Sequence, residues 1–102
     1  MATDLSNVNK LPHIKGVEQG VTWMEIILPS QCTQITVGSE NTKIYFGQNG
    51  QSDGGTPNQD FVFVPAGNLL PIKLGKGKER PQSIFVSSSS GTALIKIILE
   101  DG

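Results

Sequence analysis

Cysteine is nearly absent from this chain, Cys32 being the only one. That rules out an intrachain disulfide and leaves a cysteine-built zinc site without its further ligands. Histidine is equally scarce: His13 stands alone, beside Pro12 in a polar N-terminal stretch, where a surface role is expected rather than that of a catalytic base. Nor is there a long hydrophobic run. No segment approaches the roughly 18 continuous apolar residues of a membrane-spanning helix, and "MATDLSNVNKLPHIKGVEQG" has no apolar core of signal-peptide type. A predominance of one charge is missing too, since 8 Lys and Arg against 9 Asp and Glu leave a net charge of -1. Neither nucleic acid nor a membrane surface is an expected partner, because both need clustered cations.

Glycine and proline, by contrast, are plentiful. The 12 Gly and 6 Pro recur too often along 102 residues for a long helix to survive between them. Short strands remain. Residues 21–28, "VTWMEIIL", set Trp23 and Ile27 against Met24, Ile26 and Leu28. "CTQITVG" and "TKIYFG" follow around the turn "SEN" and read as a hairpin. "FVFVPAG" and "NLLPIKLG" come next, with Pro71 marking an edge strand or bulge. "QSIFVSSSSGTALIKIILE" reads as a closing hairpin around its serines. About seven to eight strands at intervals of roughly ten residues predict one all-β domain over 21–102, an antiparallel β-sandwich of jelly-roll type.

Residues 1–20 read differently. Leu5, Val8, Leu11, Ile14 and Val17 recur at every third position, interrupted by Pro12 and Gly16, which predicts an extended arm outside the sandwich. Such an arm orders against a partner or stays disordered.

The last strand raises the sharpest question in the chain. Alternation sends Ile95, Ile97 and Leu99 to one face and Leu94 and Ile98 to the other, so both faces are mostly apolar. Something must cover the second face, because monomers seldom expose such a patch. Either further copies of the chain do so, or the arm or the long loop folds back over it.

Chemistry is sparse. Glu25, Glu40, Asp53 and Asp60 could supply paired carboxylates, but nothing in their spacing selects a pair. Asn49, Asp53, Asn58 and Asp60 in the loop "GQNGQSDGGTPNQD" offer oxygen ligands, yet the spacing of a calcium-binding loop is missing and turn formation explains them. "GKGKERP" lacks the glycine spacing of a phosphate loop and the Ser or Thr after its lysine. Its cations Lys76, Lys78 and Arg80, with Lys73 before them, form a basic loop suited to an acidic partner surface or to keeping an edge strand soluble. Trp23, Tyr45 and Phe61 could stack on sugars if exposed, but strand patterns predict burial for them. No catalytic residue, metal site or cofactor is expected.

A polar arm, a glycine-rich β-sandwich, the "VPAG" turn and the closing "SIFVSSSSGTALIKIILEDG" together resemble the small virion structural proteins of tailed bacteriophages, namely head decoration (cement) proteins and head-fibre or knob components. The resemblance spans roughly residues 20–102 and carries no catalytic residue with it. It implies a non-enzymatic homotrimer made in the host cytoplasm and carried on the capsid surface, bound to the major capsid protein. Leu94 and Ile98 would then form the subunit interface, while the arm residues Leu5, Val8, Leu11 and Ile14 and the loop from Lys73 to Arg80 would face the capsid. A carbohydrate-binding adhesion module, or a tail adaptor or fibre component, is the alternative.

Overall fold

In a computed structural model, which describes residues 2–47, 61–74 and 82–101, the chain is all β. The described residues form β1 (Ala2–Asp4), β2 (His13–Gln19), β3 (Met24–Ile27), β4 (Gln34–Ser39), β5 (Ile44–Gly47), β6 (Phe61–Val64), β7 (Leu69–Lys73), β8 (Ser83–Ser88) and β9 (Ala93–Glu100). Two sheets result, ordered β1-β3-β8-β5-β6 and β2-β9-β4-β7. Every pairing is antiparallel except that of β1 with β3. With β1 set aside, β3-β8-β5-β6 facing β2-β9-β4-β7 is the strand order of a jelly roll. The expected fold class is the one observed.

Alternation builds the core. In β9, Ala93, Ile95, Ile97 and Leu99 are fully buried, and β3, β5 and β8 answer from the other sheet with Ile26, Ile44, Ile84 and Val86. Cys32 is packed among these residues, its thiol donating to the Gln34 carbonyl at 3.3 Å. Pro71 lies on β7, an edge strand, where its missing N–H costs no ladder bond on the solvent side.

Two expected hairpins do not form. β4 and β5 lie in different sheets, as do β8 and β9, so the turns "SEN" and "SSSSG" carry the chain across the sandwich. The physical reason is that both strands of each pair have one apolar face, and facing each other across the core buries both. Asn41 ties the two crossings together, its amide donating to the Thr92 carbonyl and its Oδ1 accepting from the Leu94 N–H, each at 2.9 Å.

The separate arm is also corrected. Residues 2–19 supply β1 and β2, and β2 pairs with β9 over seven residues, from His13 opposite Leu99 to Gln19 opposite Ala93. A central strand leaves hydrogen-bonding groups on both edges. β4 satisfies one edge of β9 and β2 the other. Leu5 is buried in the core, its N–H donating to the Ile27 carbonyl at 2.8 Å, and Val8 and Leu11 pack against that core.

Candidate functional site

The second face of β9 is the outer surface of the β2-β9-β4-β7 sheet, open at Ile14, Leu69, Leu94 and Lys96 and closed over at Thr36 and Gly38 on β4. The ladder registers show what lies there. One row runs from Ile14 on β2 through Ile98 and Thr36 to Pro71 on β7. The next runs Gly16, Lys96, Gly38, Leu69, and Leu94 stands beyond it opposite Glu18. Ile14 is 67% exposed, Leu69 56% and Leu94 47%. These are large values for aliphatic side chains on one sheet face, and they make it the candidate surface of the molecule.

Glycines shape this face. A side chain at Gly38 would run into the Asn68 carbonyl and come within 2.7 Å of Leu69 Cδ2, so the bare backbone lets the 65–68 turn close over β4. A Cβ at Gly16 would stand 3.2 Å from Lys96 Nζ, so the lysine lies low against β2. Lys96 thereby separates two shallow depressions. One, of about 370 Å³, is lined by Gly16, Glu18, Glu40 and Leu94, and the other, of about 250 Å³, by Ile14, Gly38, Leu69 and Ile98. Glu40 borders both. The surface is thus apolar with one central cation and carboxylates at its margin.

The candidate residues separate accordingly. Leu94 and Ile98 share the outer face, as alternation requires, and Ile14 joins them through its pairing with Ile98. Leu5, Val8 and Leu11 face the core instead, so three of the four arm residues are not surface contacts. Lys73 is exposed at the end of β7 on the same outer face, while Lys76, Lys78 and Arg80 lie outside the described residues. The sequence does not place Leu69, Pro71 and Lys96 on this face, because an edge strand interrupted by proline does not announce which face it shares. The register with β4 is the missing information.

The remaining chemistry stays dispersed. Glu25 faces outward from β3 on the opposite side of the sandwich from Glu40, and Asn49, Asp53, Asn58 and Asp60 lie outside the described residues. Among the described residues no three His, Cys, Asp or Glu side chains come together as metal ligands. His13 is half-buried at the start of β2. Trp23 and Tyr45, expected to be buried, are only half-buried, their ring centroids 6.3 Å apart on the outer face of the other sheet. The Phe61 side chain lies outside the description.

The Asp4 titration is displaced. The Ser6 hydroxyl donates to its carboxylate at 2.6 Å and the Ser6 N–H at 2.9 Å, and together they hold it below the usual aspartate value.

Compared with known proteins, the chain matches no family model, no curated protein and no solved structure.

Proposed function

We propose that this chain is a non-enzymatic virion assembly protein, a capsid decoration (cement) protein that self-associates, as a homotrimer, and binds the major capsid protein lattice. The observation that carries this reading is the row Ile14, Ile98, Thr36, Pro71 with Leu69 and Leu94 beside it, apolar apart from the buried Thr36 and with Ile14, Leu69 and Leu94 about half exposed or more. Removing such half-exposed side chains from water stabilises an interface by about 1 to 2 kcal/mol each. The surroundings favour a second copy as occupant. Lys96 at the centre and Glu18 and Glu40 at the margin make the face complementary in charge to itself, so copies packed through it can set cation against carboxylate.

The phage resemblance supplies the setting and the jelly roll agrees with it at the level of fold, since that architecture is common in viral capsid domains. A protein of this kind works without chemistry, adding binding free energy at many identical sites of a shell. Lys73 and the basic loop beyond it are then the contacts offered to the capsid.

Cosedimentation with shells of the major capsid protein from the same virus tests the reading. The intact protein should pellet with the shells, and Lys73→Glu, which reverses an exposed cation offered to the capsid, should stay largely in the supernatant. If the intact protein does not pellet, or the variant pellets equally, the assignment is wrong.

A further inference from the structure

The outer face of the β1-β3-β8-β5-β6 sheet carries a second surface of different character. Tyr45 is the register partner of Phe63 on one side and of Ser87 on the other, and the next position in line, just before β3, is Trp23. Ser87 is small enough for the rings of Trp23 and Tyr45 to approach to 6.3 Å above it, and its hydroxyl is turned aside to the Val21 carbonyl at 3.0 Å. Three aromatic rings therefore stand in one row across the sheet. Phe63, at the edge, is 61% exposed, although aromatic side chains are usually among the better buried. The Trp23 and Tyr45 planes differ by only 32°, so this pair is closer to a shelf than to an interlocked edge-to-face arrangement.

A cation marks the open end of this shelf. Lys43 Nζ lies 5.7 Å from the centroid of Tyr45 and 5.3 Å from that of Phe63. Both distances fall within the range of a cation attracted to ring faces. Lys43 is the one cation that the strands and their flanks bring to this face among the described residues, while Glu25 and Asp4 sit toward the opposite edge, on β3 and β1. Resting over rings, the ammonium keeps donors on its side away from them for an anion.

We infer that the row Trp23, Tyr45, Phe63, with Lys43 at its end, binds an extended acidic glycan of the β-1,4-linked hexuronate type. The flat faces of pyranose rings carry C–H groups that lie well on aromatic rings, and successive sugars in an extended chain advance by about the spacing of neighbouring strands, which separates Tyr45 from Phe63, while Trp23, two strands from Tyr45, leans to within 6.3 Å of it. Rings borne on parallel lines of a sheet thus match consecutive sugars. Lys43 meets a carboxylate, which provides the charge complementarity that a neutral chain would not use. Single-stranded nucleic acid fits less well: it also stacks on aromatics but needs a basic groove to track its backbone, and one lysine does not make one. This surface lies on the opposite side of the sandwich from the assembly face, so either site can fail without the other.

Trp23 is the only tryptophan, which makes its emission a direct readout. The test is titration of the full chain with a β-1,4-linked mannuronate hexamer and with its neutral counterpart, mannohexaose. The acidic hexamer should change the emission saturably with a Kd near about 1 mM or tighter, and mannohexaose should bind at least about tenfold more weakly. Lys43→Gln and Phe63→Ala, both at exposed positions, should each weaken binding about tenfold, with Lys43→Arg restoring most of it. The assignment is overturned if the acidic hexamer gives no saturable change up to about 10 mM. Equal binding of the two sugars, or binding indifferent to both variants, overturns it as well. A loss of self-association in Phe63→Ala would identify the row as a protein interface instead.

Discussion

Ile14 on β2 and Ile98 on β9 stand directly opposite each other across the antiparallel ladder, and both point away from the core. The pair joins the first long strand of the chain to the last and begins the apolar row that crosses the sheet to Pro71. What was expected to be an arm reaching for a partner is thus part of the surface a partner would meet.

Shortening the N-terminus should cost stability. Leu5 is buried, and Leu5→Ala should lower the unfolding free energy by about 2 to 4 kcal/mol through lost burial and a residual cavity. Urea denaturation measures this. Deleting residues 2–18 removes β1 and almost all of β2 and should prevent cooperative folding altogether. A deletion variant that melts like the intact chain would mean that these strands do not contribute as described.

Gly38→Ala should be damaging out of proportion to its size. The added methyl meets the Asn68 carbonyl, and the obstacle is backbone rather than a side chain free to swing away. A loss of about 2 kcal/mol or more is expected, whereas Gly20→Ala, with open space around the site, should cost well under half of that. Comparing the two melting curves separates steric conflict at Gly38 from a general sensitivity to replacing glycine.

Thr33→Val should stabilise the protein. The Thr33 hydroxyl is buried with no hydrogen-bond partner among the described residues, while the Thr33 backbone is already engaged with Glu100 and Leu74. Exchanging the hydroxyl for a methyl of similar size removes an unsatisfied group and should add about 1 kcal/mol. A less stable valine variant would show that the hydroxyl has a bonding role.

Acid should loosen the turn after β1. Because Ser6 holds the Asp4 carboxyl below its usual value, the folded state favours the ionised form. The resulting contribution is complete above the ordinary aspartate range and disappears as pH falls through the lowered folded value. The Ser6 amide resonance followed by NMR from pH 6 to pH 2 should report this transition, with a midpoint below that of a free aspartate. Asp4→Asn should abolish it.

The sequence reveals the fold wherever alternation is strong. Ile95, Ile97 and Leu99 against Leu94 and Ile98 identifies both faces of β9, and Met24, Ile26 and Leu28 do the same for the inner side of β3. It misleads wherever neighbours decide. β2 has only Val17 as an apolar residue facing inward, and it is a strand because β9 offers a free edge, not because "HIKGVEQ" strongly prefers one. β5 and β9 each follow a short turn yet lie in the sheet opposite to the strand before them, so the turns after β4 and β8 look like hairpin turns and are not. The outer row was half legible for the same reason. Leu94 and Ile98 come from one strand's own pattern, but Ile14, Leu69 and Pro71 join them only through the register of three different ladders.

Native mass measured by light scattering from about 1 to 100 μM, a range over which mass action moves a weak oligomer, tests assembly through this face most directly. The intact chain should rise toward, or already sit at, three times its 10.9 kDa mass. Ile14→Glu with Leu94→Glu, both at exposed positions, should remain monomeric and folded. A monomer at every concentration, or an oligomer that the two substitutions leave intact, would contradict it.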